Sequence, residues 1–304
     1  KLVKITSRAA INCYEHLGKD NKKLADKAAT DSMRNDLNNL EINGEVVIGE
    51  GELDEAPMLY IGEKLGTNKG IELDIAVDPL EGTNFAANNL PGALSVIAIS
   101  EKNNLFKAPE TYMSKISTKV KEKNVIDLDF SVKKNIFNLS EYLNKKPENL
   151  TACILDRPRH DQIIKELKKL KVRLKLITDG DISGALMVTD DKYNVDIFLG
   201  IGGGPEGVLA ATALDTFGCS FQGRFLFETE VDKQRAKEMG INDLDKKYEI
   251  NEIISGDSIF CATGITDGDL VSGITIQGNE FVSETLVTHK HTGVKKVIKL
   301  KQNV

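Results

Sequence analysis

Three polar runs carry the side chains best suited to chemistry. The first, Gly49-Glu50-Gly51-Glu52-Leu53-Asp54-Glu55-Ala56-Pro57, sets four carboxylates within six residues. Charges that close repel unless a cation or hydrogen-bond donors absorb them, so the run suits a divalent ion. A solvated acidic loop accounts for the charge equally well. The second is Asp74-Ile75-Ala76-Val77-Asp78-Pro79-Leu80-Glu81-Gly82-Thr83. Its Asp78 and Glu81 flank a proline that should end a strand, letting both carboxylates converge on one point, as ligands of Mg²⁺ or Mn²⁺ do. Gly82 and Thr83 would then offer a backbone N–H and a hydroxyl to a phosphate; an ordinary acidic turn is the plainer alternative. The third, Gly200-Ile201-Gly202-Gly203-Gly204-Pro205-Glu206-Gly207, satisfies GxGxxG at 202–207 and so admits a dinucleotide site. Glu206, however, stands where a pyrophosphate needs donors, and Pro205 lacks an N–H. A phosphate-facing loop with Glu206 as a metal ligand is the better reading, and an NAD-binding oxidoreductase is the rival from another class.

Smaller motifs add weight only in company. Asp156-Arg157-Pro158-Arg159-His160 puts two guanidiniums where a second phosphate could sit, or where a helix-start loop is merely solvated. Asp179-Gly180-Asp181 pairs acids at a tight turn that could accept sugar hydroxyls or cap a helix. His16, His160, His289 and His291 form neither HExxH nor a Ser/His/Asp pattern, and core or surface roles suit them. Tyr112 lies in an irregular stretch and says nothing unaided.

The elements that must position these groups follow from periodicity. Helices are predicted over 5–17 and 22–40, strands over 45–48, 71–77 and 93–100, and an apolar helix starting at Met58. Residues 101–150 read as loop-rich and lysine-rich, a candidate lobe crossing. Beyond them strands at 150–155, 172–177 and 195–199 alternate with helices at 161–171, 182–188 and 208–217. That is the rhythm of a parallel or mostly parallel sheet with flanking helices, whose ligands gather at strand ends. Domain boundaries of 1–148 (a metal-binding α+β lobe) and 149–304 (an α/β lobe completing the site) are expected.

Composition narrows the function classes. The 304 residues are 40% apolar and 28% charged, a globular composition. No stretch approaches the roughly 20 apolar residues of a membrane helix. Cys13, Cys153, Cys219 and Cys261 lack CxxC spacing, so neither a zinc site nor a disulfide framework is expected, and a reducing cytosol fits. The net charge of −6 is uneven, with −9 between Glu41 and Gly82 and +3 over the rest. This argues for cations at the acidic window and against a nucleic-acid binder, which usually shows a basic stripe. Lys1-Leu2-Val3-Lys4 leads directly into an amphipathic helix, so no secretory leader is expected there, and a few residues are expected ahead of Lys1.

Taken in order, GEGELDEAPMLYIGE (49–63), DIAVDPLEGTN (74–84), RPRH (157–160), DGD (179–181) and GIGGGPEG (200–207) resemble the class II fructose-1,6-bisphosphatases. These are cytoplasmic gluconeogenic enzymes of the lithium-sensitive, inositol-monophosphatase-like phosphatase superfamily. The resemblance spans roughly Leu17 to Leu286 and implies a layered α-β-α-β-α sandwich, two lobes with the site between them. It implies that Asp26 and Glu50 ligate one metal, and that Asp78, Glu81, Glu206 and the Leu80 carbonyl surround a second. Thr83 matches the catalytic threonine and Asp54 an acid important for activity. Substrate contacts fall on Glu81, Gly82, Thr83, Tyr112, Arg157, Pro158, Arg159, Asp179, Gly180, Asp181 and Gly203. Two departures stand out: the stretch from Asn84 through Phe85–Leu90, and Gly204 where many relatives carry Ala.

The implied activity is metal-dependent hydrolysis, with Mn²⁺ or Mg²⁺, of the 1-phosphate of fructose 1,6-bisphosphate. Nearest alternatives are a broader bisphosphatase that takes sedoheptulose 1,7-bisphosphate and an inositol-type monophosphatase. The expected partner is a small sugar bisphosphate, with neither nucleic acid nor membrane, in a homo-oligomer (dimer or tetramer).

Overall fold

Two β-sheets, each built on a short parallel nucleus extended by antiparallel strands, organise the chain in a computed structural model that describes residues 1–49 and 58–303. In chain order the first elements are α1 (Leu2–Tyr14), α2 (Lys22–Asn38), β1 (Asn43–Ile48), β2 (Lys64–Leu65), β3 (Glu72–Glu81), α3 (Thr83–Ala87) and β4 (Leu94–Glu101). Then come β5 (Tyr112–Thr118), α4 (Val132–Tyr142), β6 (Thr151–Leu155), α5 (Asp161–Lys169), β7 (Arg173–Ile177), α6 (Asp181–Leu186), β8 (Ile197–Gly203), α7 (Gly204–Phe217) and β9 (Ser220–Leu226). The last are α8 (Glu230–Glu238), β10 (Tyr248–Glu249), α9 (Ile250–Ile253), β11 (Ser258–Gly264), β12 (Thr275–Gln277), β13 (Glu280–His289) and β14 (Val294–Asn303). Among the described residues, no helix is long and apolar enough to cross a membrane.

The chain forms two units, residues 1–107 with 254–304, and residues 108–253. The expected boundary at 148/149 falls inside the second unit. The reason is pairing: β5 lies between β8 and β9, which ties residues after 108 to the second sheet. β11 returns to pair with β4, carrying the C-terminal strands back to the first sheet.

In the first unit the sheet order is β12-β13-β11-β4-β3-β1-β2, with β14 on the far side of β13. Among the described residues only β1 and β3 run parallel here; the other pairs are antiparallel. Ile5, Ala9, Ala10 and Cys13 of α1 and Ala25, Ala29, Met33 and Leu37 of α2 recur at helical spacing and pack with Val46, Ile75, Val77 and Ile97 of the sheet. The Asn21 side chain accepts the Leu24 N–H at 3.1 Å and starts α2.

In the second unit the order is β10-β9-β5-β8-β6-β7. β6 pairs parallel with β7 and β8, while β5, β9 and β10 are antiparallel, so the expected mostly parallel sheet is mixed. Ile136, Leu139 and Leu167 of α4 and α5 cover the face bearing Ile116, Ala152, Ile197 and Leu199. Side chains alternate along a strand, so Met113, Lys115 and Phe198 point to the other face. There Gly184 of α6 meets Phe198, and Gly207 of α7 meets Met113 and Lys115.

Several predicted elements shift. Residues 112–118 and 132–142, read as loop, form β5 and α4. Met58–Ile61 opens no helix but a bend and turn, with Leu59 buried in the first unit's core. β3 does not stop at Pro79 but continues to Glu81.

Candidate active site

The first group of candidate site residues lies at the end of β3. Against β4, Asp78 pairs with Val96 and Glu81 with Leu94, so three steps on β3 answer two on its neighbour. In a regular strand residues three apart point to opposite faces. The extra residue of this bulge, at a proline that has no N–H to donate, brings both carboxylates to one side. Their oxygens lie within 4.8 Å of one another, and both residues are buried, 8% and 5% exposed. Gly82 follows in the left-handed conformation (φ 79°, ψ 50°) as the N-cap of α3, and half-buried Thr83 is the helix's first residue. The Phe85 ring leans on Gly82, so that a Cβ there would lie 2.9 Å from the ring.

Asp26 sits half-buried on α2, the helix that packs against β3. Its charge, with burial as the larger cause, pushes the Cys13 thiol up to about 12. Lys22, one turn before, donates to Asn84 Oδ1 of α3, so the residue that departs from the family pattern is held by α2. Glu50 and Asp54 lie outside the described residues.

The second group surrounds the end of β8 in the other unit. The glycine run is not a loop: β8 runs through Gly203 and α7 starts at Gly204, with Pro205 and Glu206 in its first turn. Glu206 Oε2 is buried with no hydrogen-bond partner among the described residues. Burial pushes the Glu206 carboxyl above its usual range; the Lys115 ammonium opposes this and the Asp181 carboxylate reinforces it. Asp179-Gly180-Asp181 repeats the geometry at Gly82: Gly180 is a left-handed N-cap (φ 82°, ψ 57°) and Asp181 the first residue of α6.

Arg157 is the N-cap of a single 3₁₀ turn, Pro158–His160, that leads into α5. Arg159 donates through Nε to the Ile201 carbonyl at 2.9 Å, and its guanidinium lies over the Tyr112 ring. Tyr112 is not in an irregular stretch but opens β5 opposite Gly203, and it is exposed. The structure therefore brings Tyr112, Arg159, Asp181, Gly203 and Glu206 around one strand end.

His160 takes the core role. It is fully buried; the Ile201 N–H donates to Nε2 at 2.7 Å, so Nδ1 carries the proton and donates to the Leu155 carbonyl at 2.7 Å. The ring thereby ties the Arg157–Arg159 turn to β8. Sequence reasoning missed Lys115, which donates to Asp181 Oδ2 and to the Gly203 carbonyl. Its signal was the alternation of Met113 and Lys115 on one face of a run now seen to be a strand.

These donors fit a divalent cation. Asp78 and Glu81 offer carboxylate oxygens from one side of a strand end, and in the other unit Glu206 separately carries a buried carboxylate oxygen without a hydrogen bond among the described residues. Hard cations such as Mg²⁺ and Mn²⁺ prefer such ligands.

Residues 1–302 match the family model described as bacterial fructose-1,6-bisphosphatase, glpX-encoded. The chain belongs to this family. It is similar to the D-fructose 1,6-bisphosphatase class 2/sedoheptulose 1,7-bisphosphatase of Synechococcus sp. (strain JA-3-3Ab), 40% identical over 94% of this chain and 90% of that one. The proteins of the same description from Trichodesmium erythraeum (strain IMS101), 38% identical over 94% and 90%, and Synechococcus elongatus, 40% over 90% and 87%, are comparable. The chain is thus an enzyme, a phosphatase hydrolase of the fructose-1,6-bisphosphatase type, and the family implies a divalent metal. The GxGxxG at 202–207 is a strand end and first helical turn of a bisphosphatase, not a dinucleotide fingerprint.

Proposed function

We propose that the chain removes the 1-phosphate of fructose 1,6-bisphosphate, giving fructose 6-phosphate and phosphate, with Mn²⁺ or Mg²⁺. One observation carries the residue assignment: the β3 bulge sets Asp78 and Glu81 on one side, and the chain passes directly through left-handed Gly82 to Thr83. Asp78, Glu81 and Glu206 would hold the cations, joined by Asp26, Glu50 and the Leu80 carbonyl as in the family pattern. When bound, such ions polarise phosphoryl oxygens and lower the pKa of water.

The chain's own groups do the rest. The Thr83 hydroxyl orients the attacking water in line with the leaving oxygen, with Asp54 supporting that step. Glu81, Gly82 and Thr83 border the reacting phosphate. Arg157, with Pro158 fixing its turn, and Arg159 hold the distal 6-phosphate; guanidinium forks suit phosphate oxygens. Asp179, Gly180 and Asp181 receive sugar hydroxyls, and Tyr112 and Gly203 line the same place. Phosphoryl transfer passes through a loose transition state, so positioning and electrostatics supply most of the rate.

A second substrate, sedoheptulose 1,7-bisphosphate, is favoured by the double activity in the relatives' names. It too carries a second, distal phosphate for the Arg157–Arg159 turn. The four cysteines, all buried and none in a disulfide among the described residues, suit a reducing compartment such as the cytoplasm.

The test is product analysis. Phosphorus NMR of fructose 1,6-bisphosphate turned over with Mn²⁺ should show fructose 6-phosphate and inorganic phosphate. Accumulation of fructose 1-phosphate would contradict the assignment of the distal phosphate to Arg157 and Arg159.

A further inference from the structure

Lys115 is the largest fully buried side chain among the described residues, 2% exposed, at the centre of β5 on the face covered by α6 and α7. A lysine is almost never buried so deeply unless its charge is paired. Here the ammonium donates to Asp181 Oδ2, on the first residue of α6, and to the Gly203 carbonyl at 2.7 Å, on the last residue of β8. Gly207, in α7, admits the lysine stem: a Cβ at that position would stand 3.1 Å from the lysine Cδ. Two acceptors from different elements and a glycine opposite the stem fix where the ammonium sits.

Asp181 is itself buried, 8% exposed, and its two oxygens differ. Oδ2 is taken by Lys115, while Oδ1 is buried with no hydrogen-bond partner among the described residues. A buried carboxylate oxygen without a donor is costly, and a ligand hydroxyl would remove that cost.

We infer that Lys115 is a positioning residue for sugar recognition: it fixes the Asp181 carboxylate in the rotamer that presents Oδ1 to a substrate hydroxyl. The inference rests on the reading above that Asp181 contacts the sugar. The Gly203 carbonyl anchors the ammonium, so the carboxylate has a single place to dock. Lys115 hydrogen-bonds Asp181 and the Gly203 carbonyl, and its effect on the sugar hydroxyl passes through Asp181. Substrate and transition state make the same hydroxyl contact, so its loss is uniform binding, raising KM without lowering kcat.

The experiment compares the wild type, Lys115→Met, Asp181→Asn and the double variant, with KM and kcat for fructose 1,6-bisphosphate in Mn²⁺. Calorimetric binding of fructose 6-phosphate to the metal-free protein is the second readout. Asp181→Asn and Lys115→Met should each weaken KM and product binding by roughly tenfold, with kcat within about threefold, as for one charge-assisted hydrogen bond. The double variant should be no weaker than Asp181→Asn alone. A merely structural lysine would lower thermal stability and leave KM unmoved. If Lys115→Met does not fold, the double variant, a neutral pair of similar bulk, still decides: equality with Asp181→Asn supports the inference, and a further loss overturns it. Weakening by Asp181→Asn but not by Lys115→Met overturns the role of Lys115 alone. No effect of Asp181→Asn overturns the reading of Asp181 itself.

Discussion

The Arg159 guanidinium carbon lies 4.9 Å from the centroid of the Tyr112 ring. The ring supports the guanidinium while Nε donates to the Ile201 carbonyl, which leaves the terminal nitrogens to serve an anion.

Arg159→Ala should therefore raise KM for fructose 1,6-bisphosphate by roughly tenfold or more, the scale of a lost hydrogen bond to a charged group. Fructose 1-phosphate, which lacks the distal phosphate, should be turned over by the variant and the wild type alike. Steady-state kinetics on both substrates checks this. Tyr112→Leu should show the same discrimination in weaker form, because the guanidinium loses its platform and keeps its charge.

Gly82→Ala should cost stability and activity together. A left-handed backbone costs a Cβ-bearing residue about 1–2 kcal/mol, and here the added carbon also meets the Phe85 ring. Thr83 is the next residue, so kcat should fall along with the melting temperature; calorimetry and kinetics on one preparation would show both.

His160 gives a pH dependence of known sign. Burial, aided by the Arg159 charge, holds its pKa below the ordinary value, outweighing the hydrogen bond to the Leu155 carbonyl. The folded ring thus resists a proton that the unfolded chain accepts below about pH 6.5. Stability from this group is complete above that pH and is lost as pH falls toward the lowered folded value. His160→Leu should flatten the acid limb of melting temperature against pH while lowering its plateau. The plateau cost should be about 1–3 kcal/mol, from leaving the Ile201 N–H and Leu155 carbonyl without a partner.

The thiols should be inert in the native state. Burial pushes Cys13 and Cys261 both up to about 12, so little thiolate exists at neutral pH. A chromogenic disulfide reagent should titrate these two only after denaturant is added; rapid reaction of Cys13 in the folded protein would contradict the packing of α1.

Much of this architecture is legible in the sequence where hydrophobic periodicity is clean. The strands at 151–155 and 173–177 and the helices at 161–169 and 204–217 lie at or close to their predicted places. α4 was hidden because exposed lysines interrupt its helical stripe, and β5 because a buried lysine, Lys115, stands on its inner face where alternation calls for an apolar residue. The continuation of β3 was hidden by Pro79, since a proline in a strand ordinarily reads as its end and only the pairing register reveals a bulge. Asp78 and Glu81 were visible because that proline stands between them. Asp26 and Tyr112 were visible only through the family resemblance, since a lone helical acid and a lone tyrosine are common on any surface. Lys115 was invisible because lysines are normally solvated, and its partners are 66 and 88 residues away in the chain. The two-unit division was equally long-range: nothing local in residues 254–303 announces a return to the first sheet.

The central claim, cation-assisted hydrolysis with Thr83 orienting the water, is tested most directly by phosphate release from fructose 1,6-bisphosphate. Wild type, Thr83→Ala and Glu206→Gln would be compared with Mn²⁺, with Mg²⁺ and with EDTA. The wild type should release phosphate only with a divalent ion. Both variants should lose activity by about 10²-fold or more, while Thr83→Ala keeps the wild-type affinity for fructose 6-phosphate. Phosphate release that survives chelation, or a Thr83→Ala enzyme as fast as the wild type, would contradict the account.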